Sequence, residues 1–148
     1  MSVSNISRRE AREIVLGLLF ESEFRQDEDY VAIYASSAEE RLIPDDSYVK
    51  NAYFCICENK ENIDEALGKN TKGWRIDRLS KMSRSLLRLG AYEMIYESSI
   101  PFSVTINEII ELTKKYDDPK ARSFVNGILN GLKDNLTESG VVKDESKK

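Results

Sequence analysis

Residues 76–96 read Ile76-Asp-Arg-Leu-Ser-Lys-Met-Ser-Arg-Ser-Leu-Leu-Arg-Leu-Gly-Ala-Tyr-Glu-Met-Ile-Tyr96, and this stretch decides the fold. Its apolar side chains recur at every third or fourth position, which is the spacing of one face of an α-helix. The stretch therefore predicts a long helical region, interrupted near Ser80. Its apolar face carries Leu79, Met82, Leu86, Leu89 and Gly90.

Capping signals predict where two further helices begin. Ser7 and Glu10 form a capping box, in which each side chain can bond the other residue's backbone, so a helix should start at Arg8. The segment from Thr105 to Glu108 repeats this pattern and predicts a second helix start there.

The acidic region between these signals predicts two more helices. Asp29 to about Leu42 has a weak helical pattern that stops near Pro44. Asp45 or Asp46 can cap a third helix that continues through Ile63.

Glycine and proline mark the remaining boundaries. Residues 68–73 form a polar break between two glycines, and Ile100-Pro101 ends the long helical region. Asp118-Pro119 predicts a cap followed by proline in the first turn of the last helix. That helix has a broad apolar face made of Ala121, Phe124, Val125, Ile128, Leu129, Leu132 and Leu136.

Composition agrees with an all-helical protein. The chain has 148 residues with three prolines and seven glycines, and 41% of its residues are hydrophobic, which is ordinary for one globular domain. We expect an all-α, compact helical bundle of about six to seven helices over residues 1–137. Residues 138–148 are polar and charged, and we expect a flexible tail there.

Several functional classes lose their usual residues. The chain has no histidine, so zinc sites, serine triads and imidazole catalysis are disfavoured. Cys55 and Cys57 would diverge by about 200° on a helix and cannot readily share a metal or a disulfide. The apolar run from Ile14 to Phe20 is too short for a signal peptide or membrane span. We expect a cytoplasmic protein without catalytic residues, metal or cofactor.

Charge is segregated along the chain although the net value is only −4. Residues 26–65 hold eleven acidic and three basic side chains, whereas residues 72–88 hold six basic ones and one acidic one. A mildly acidic protein with this pattern can still present a basic surface to phosphate groups.

Four motifs resemble the NusB family in order and spacing. They are Ser7-Arg-Arg-Glu-Ala-Arg-Glu13, Leu86-Leu-Arg-Leu-Gly-Ala-Tyr-Glu-Met94, Ile100-Pro-Phe-Ser-Val-Thr-Ile-Asn-Glu-Ile-Ile-Glu-Leu112 and Phe124-Val-Asn-Gly-Ile-Leu129. The resemblance spans nearly the whole chain apart from the acidic region. It implies a helical bundle of two small subdomains. It also implies a transcription antitermination factor that binds boxA RNA of nascent transcripts, chiefly from ribosomal RNA operons, together with ribosomal protein NusE in the RNA polymerase antitermination complex.

The resemblance implies RNA contacts from Arg8, Arg9 and Arg12. Cations in a first helical turn face the positive end of the helix dipole, which costs about 0.3–1 kcal/mol each, so a second role is expected. The alternative is local pairing, because Arg9 can reach Glu13 across one turn. Glu10 within this basic run departs from more basic family members.

The Phe-Val-Asn-Gly motif implies that Phe124 stacks on an RNA base, with Lys120 and Arg122 binding phosphates. Packing of Phe124 in the core is the competing interpretation. Ser123 stands where the family often has lysine.

The long helical region carries further candidates. Its basic side chains Arg78, Lys81, Arg84 and Arg88 could contact RNA or protein, or simply form a solvated face. Trp74 is expected to cover a core. Glu93 lies among apolar positions and, if buried, needs an arginine or a helix N-terminus as partner.

The sequence is also compatible with two other functions. The chain could be a helical protein interaction module, including a homodimer. It could also be a stand-alone domain related to the NusB-like part of ribosomal RNA cytosine methyltransferases. Catalysis is not expected, because the sequence has no glycine-rich cofactor loop after a strand and ends where that catalytic domain would begin.

Overall fold

The computed structural model describes residues 5–73 and 75–145, so Trp74 lies outside the described residues. Over these ranges the fold is all-α, as predicted, with seven α-helices, a short 3-10 turn at Ile76–Arg78 and no strand. None of the helices in this part of the chain is long and apolar enough to cross a membrane. The helices are α1 (Arg8–Ser22), α2 (Tyr30–Glu40), α3 (Ser47–Glu58), α4 (Lys60–Gly68), α5 (Lys81–Tyr96), α6 (Phe102–Tyr116) and α7 (Ala121–Glu138).

The chain divides into two compact units, Met1–Asn59 with α1 to α3 and Lys60–Lys148 with α4 to α7. This confirms the two small subdomains that the resemblance implies. The division falls inside the third helix predicted from the sequence, which should have continued through Ile63. That prediction is wrong because α3 ends at Glu58. Asn59 caps its end, and the backbone and side-chain N–H groups of Asn59 both donate to the Cys55 carbonyl at 2.9 Å.

The first unit is built on α1, which packs against α2 and α3. The predicted capping box at its start is present: the Glu10 N–H donates to Ser7 Oγ at 3.0 Å, and the Ser7 N–H donates to Glu10 Oε1 at 3.3 Å. Tyr53 of α3 is fully buried, and its hydroxyl lies 2.6 Å from Ser22 Oγ at the end of α1. Burial and this hydrogen bond together raise the stability of the α1–α3 packing.

The second unit is built around α5, which packs against α4, α6 and α7. The helix begins at Lys81, because the Ser80 side chain accepts a hydrogen bond from the Ser83 N–H, so the predicted interruption near Ser80 is confirmed. A methyl group at Gly90 would lie 3.1 Å from the Leu129 side chain of α7. This glycine therefore permits the close approach of α5 and α7.

Glu93 of α5 is fully buried, and one partner of its carboxylate is the Thr105 hydroxyl, which donates to Oε1 at 2.7 Å. This contact explains why the second predicted capping box is wrong. Helix α6 begins at Phe102, directly after Pro101, so Thr105 lies inside the helix and its side chain is turned to the core.

The last helix begins at Ala121, slightly later than predicted. Asp118 still acts as a cap, but for the turn before the helix, since its Oδ1 accepts from the Lys120 N–H at 2.9 Å. The helix ends at Glu138, close to the predicted start of the tail.

Two tail residues contact both helix ends at the α5–α6 junction. Lys143 Nζ donates to the carbonyls of Glu93 and Glu97 at 2.9 Å each. Glu145 accepts from the N–H groups of Phe102 and Ser103 at 2.9 and 3.0 Å. Each charge lies at the helix end whose dipole favours it. Flexibility of the tail as a whole, and the single domain over residues 1–137, remain predictions.

We expect Glu145→Ala to lower the free energy of unfolding by about 1 kcal/mol at neutral pH, since it removes a charged cap of α6. Partial burial alone would raise the pKa of Glu145, but the N–H groups of Ser103 and Phe102 outweigh it and hold this pKa below its usual value. A carboxyl with a lowered pKa in the folded state stabilises above its unfolded pKa, and this contribution disappears as pH falls through the folded value. Urea denaturation at neutral and acidic pH should therefore show a difference from wild type that shrinks in acid.

The matched control is Glu145→Gln, which keeps an oxygen acceptor and loses only the charge. It should fall between wild type and Glu145→Ala. Equal stability of all three proteins at neutral pH would contradict the capping role.

Candidate nucleic-acid interface

The arginines at the start of α1 differ in exposure. Arg8 and Arg9 are exposed, whereas Arg12 is only 4% exposed. A buried guanidinium reaches a phosphate only if the helix rearranges. The structure therefore supports Arg8 and Arg9 as surface cations, and it gives no support to a direct RNA contact by Arg12.

Arg8 lies over the ring of Tyr48, with 4.3 Å between the guanidinium carbon and the ring centroid. Tyr48 is in the first turn of α3 and is 8% exposed. This cation–π contact holds an arginine at a helix N-terminus, where the dipole alone disfavours it. The Arg8 guanidinium still has N–H groups that can donate to a phosphate oxygen.

Phe124 lies near the start of α7 and is 37% exposed, although its neighbour Val125 is fully buried. The Phe124 side chain is thus neither fully packed in the core nor fully exposed, and part of its ring is available for stacking on a base. Lys120 is exposed and precedes Phe124 by one turn, so both lie on one side of the helix. Arg122 is also exposed, but two positions along a helix turn its side chain by about 200° from Phe124.

A cavity of about 440 Å³ lies beside Phe124 in the second unit. It is bounded by the segment after α4 and by one face of α7, with the lining residues Asn70, Thr71, Lys72, Leu79, Ser123, Phe124, Gly127 and Ile128. Sequence reasoning missed Asn70, Thr71 and Leu79 as parts of a site. They are far from α7 along the chain, and no local pattern indicates that they meet it.

The basic residues of the 72–88 stretch divide into two groups. Arg78 and Lys81 are exposed, and Arg84 donates to the carbonyls of Asp77 and Leu79 at 3.1 Å each. Arg88 departs from the expected basic face, because it is 8% exposed and donates to both Asp64 carboxylate oxygens at 2.8 Å. The packing of α4 against that side of α5 explains its burial.

Cys55 and Cys57 form no disulfide. No group of three metal-ligating side chains that could hold an ion occurs among residues 5–73 and 75–145. The exposed side chains of Arg8, Arg9, Lys120 and Phe124 offer cationic and aromatic groups, which suit phosphates and bases.

The model of the NusB family matches residues 9–134. The chain belongs to the NusB family. The match includes Arg9, the α5 and α6 motifs and Phe124, so the helices described above are those of a NusB domain.

Relatives of this NusB-family protein agree in sequence and structure. The transcription antitermination protein NusB of Clostridium botulinum is 38% identical over 129 residues, which cover 86% of this chain and 95% of that protein. The structure of T. maritima NusB has a TM-score of 0.80 and 32% identity, covering 98% of this chain and all of that one. A crystal structure of NusB and NusE in complex with double-stranded RNA has a TM-score of 0.76 and 30% identity, covering 86% and 96%.

Proposed function

We propose that this protein is an RNA-binding transcription antitermination factor that binds boxA RNA of nascent transcripts together with ribosomal protein NusE. Its RNA complex modulates termination by RNA polymerase, chiefly in ribosomal RNA operons. The protein acts in the cytoplasm as an adaptor and makes or breaks no covalent bond. The relatives named above, one of them a complex of NusB with NusE and RNA, support this proposal.

The observation that carries the proposal is the exposure of Arg8 and Arg9 at the N-terminus of α1. The helix dipole disfavours cations at a helix start, and the Tyr48 ring offsets this for Arg8. An RNA strand adds a further gain, since each phosphate neutralised by a cation releases counterions and strengthens binding at low salt.

The second unit supplies the remaining contacts. Phe124 stacks on a base with the exposed part of its ring, and Lys120 binds a neighbouring phosphate. Arg122, Arg78 and Lys81 of this unit are also exposed and offer further positive charge to RNA or to a protein partner. Arg84 and Arg88 already bond within the second unit, so we assign them to the support of the fold.

Replacing Arg8 and Arg9 together with alanine should weaken RNA binding and make it less sensitive to salt. If each arginine neutralises one phosphate, the slope of log K against log salt falls by about 1.4 for a single strand. Fluorescence anisotropy with labelled boxA RNA at several salt concentrations measures this slope. Far-ultraviolet circular dichroism checks that the variant remains folded.

The control removes two positive charges elsewhere. Lys114→Ala with Lys115→Ala changes the net charge equally, and both lysines are exposed at the end of α6. This control should keep the wild-type slope. An unchanged slope in the arginine variant, or an equal loss in both, would contradict the proposed RNA contact.

An alternative function is a protein interaction module or a homodimer. Phe24 is 64% exposed and Leu42 is 85% exposed, and both belong to the first unit. Apolar side chains of this size on a surface favour a protein contact when they are grouped. Mass measurement in solution over a range of protein concentrations separates a monomer from a dimer.

A further inference from the structure

We propose that the cavity beside Phe124 is a binding site for one unpaired nucleobase of the RNA, which enters the cavity instead of resting only on the exposed ring. The inference rests on the proposed function, because it takes RNA as the ligand. It adds a position at which the protein can select one base of the strand.

The size and lining of the cavity fit a flat aromatic group with polar edges. Its volume of about 440 Å³ lies within the ~300–1,000 Å³ range of small-ligand sites. Leu79, Phe124 and Ile128 provide apolar surface, against which a base can stack or pack. Asn70, Thr71 and Ser123 add amide and hydroxyl groups, which can bond the edges of a base that has left its stack.

Glycine at position 127 keeps the cavity open. A methyl group built at Gly127 would meet no atom of residues 5–73 and 75–145 within 4 Å, although this residue lines the cavity. The helix would tolerate a side chain here, and glycine is a poor helix residue. Packing and helix stability therefore do not require glycine here, and its small size leaves space for a ligand in the cavity.

Glycine at position 131, one turn later, positions the polar side of the cavity. A methyl group at Gly131 would lie 2.3 Å from Asn70 Oδ1, so this side chain lies directly against the backbone of α7. Asn70 Nδ2 also donates to Asn135 Oδ1 at 2.7 Å. The amide is thus held in place from two directions, and the second Nδ2 hydrogen remains as a donor for a base edge.

The charge around the cavity favours a base that is attached to a phosphate backbone. Lys72 lines the cavity and is exposed, and Lys120 lies one turn before Phe124 on the same side of α7. Lys72 has φ 51° and Gly73 has φ 92°, so the chain holds two successive left-handed residues here. A non-glycine residue in that region costs about 1–3 kcal/mol, and such strain is concentrated at binding sites.

The test combines a protein variant whose cavity is filled with RNA strands that each lack one base. Gly127→Leu fills the space, and Asn130→Leu is the matched control, because Asn130 is exposed on the same helix and does not line the cavity. Each protein is titrated, with NusE present, against boxA RNA and against a series of the same RNA with one abasic site at each position. Melting curves establish that the variants are folded, and Gly127→Ala provides a smaller filling group if leucine unfolds the protein.

For the wild type and Asn130→Leu, we expect one abasic position to weaken binding by about ten-fold. For Gly127→Leu, intact RNA should bind about ten-fold more weakly than to wild type, and the abasic site at that position should cause no further loss. Equal sensitivity to every abasic position in folded wild type and Gly127→Leu would overturn the cavity proposal.

The two proposals fail in different ways. If Gly127→Leu binds intact boxA RNA as tightly as wild type while the Arg8 and Arg9 variant loses binding, the cavity proposal is wrong and the proposed function stands. If wild type shows no preference for boxA RNA over a scrambled strand with NusE present, the proposed function fails first.

Discussion

Replacing Asp64 with alanine is expected to lower the free energy of unfolding by about 3 kcal/mol, the largest single effect that the structure predicts. Arg88 is 8% exposed and donates through Nε and Nη2 to the two carboxylate oxygens of Asp64. Removing the carboxylate leaves a buried guanidinium without the two charge-assisted hydrogen bonds that Asp64 accepts. Urea denaturation followed by circular dichroism measures the change.

A double variant separates the cost of the unpaired charge from the value of the pair. Asp64→Ala with Arg88→Met removes both charges and keeps an unbranched apolar side chain in α5. We expect it to recover more than half of the stability that Asp64→Ala loses, because no buried guanidinium has then lost the carboxylate that it bonds. A double variant no more stable than Asp64→Ala would show that the loss comes from packing and not from the broken ion pair.

Replacing Thr105 with valine is expected to lower the free energy of unfolding by about 2 kcal/mol. Valine has nearly the same shape but no hydroxyl, so the fully buried Glu93 carboxylate loses the donor that lies 2.7 Å away. The penalty is the desolvation of a polar group that water cannot reach. Chemical denaturation of the single variant measures it.

Thr105→Ser is the control, since it keeps the hydroxyl and removes one buried methyl group. It should cost less than valine, about 1 kcal/mol. If serine destabilises as much as valine, packing of the methyl group matters more at this position than the hydrogen bond to Glu93.

Local signals in the sequence were sufficient for most helix boundaries. The Ser7 and Glu10 capping box, the break near Ser80 and the stop at Ile100-Pro101 each depend on residues within one turn of one another. Interactions at this range are encoded by the spacing of a few side chains, so reading the chain in order recovers them.

Predictions that depended on tertiary packing were less successful. Thr105 matches a capping pattern, but α6 starts earlier, and the hydroxyl bonds Glu93 across the unit. Arg88 has the spacing of a solvated basic face, yet α4 covers it and Asp64 pairs with it. In both cases the partner is on another helix, which a helical wheel cannot show.

The candidate site also has parts that the sequence predicts and parts that depend on tertiary packing. Arg8, Arg9 and Phe124 could be named from motifs, and the structure shows that each is at least partly exposed. The cavity could not be predicted, because its walls come from the segment after α4 and from α7. The role of Gly127 in keeping that space open becomes visible only when both walls are in place.

The most direct test of the proposed function is a titration of boxA RNA and a scrambled strand of the same length and composition, each with and without NusE. The proposal predicts that the protein prefers boxA RNA and that NusE strengthens this preference, because aromatic and cationic groups together recognise a specific strand. Equal, weak binding of both RNAs under all four conditions would contradict it and leave only a general attraction between a basic surface and phosphate.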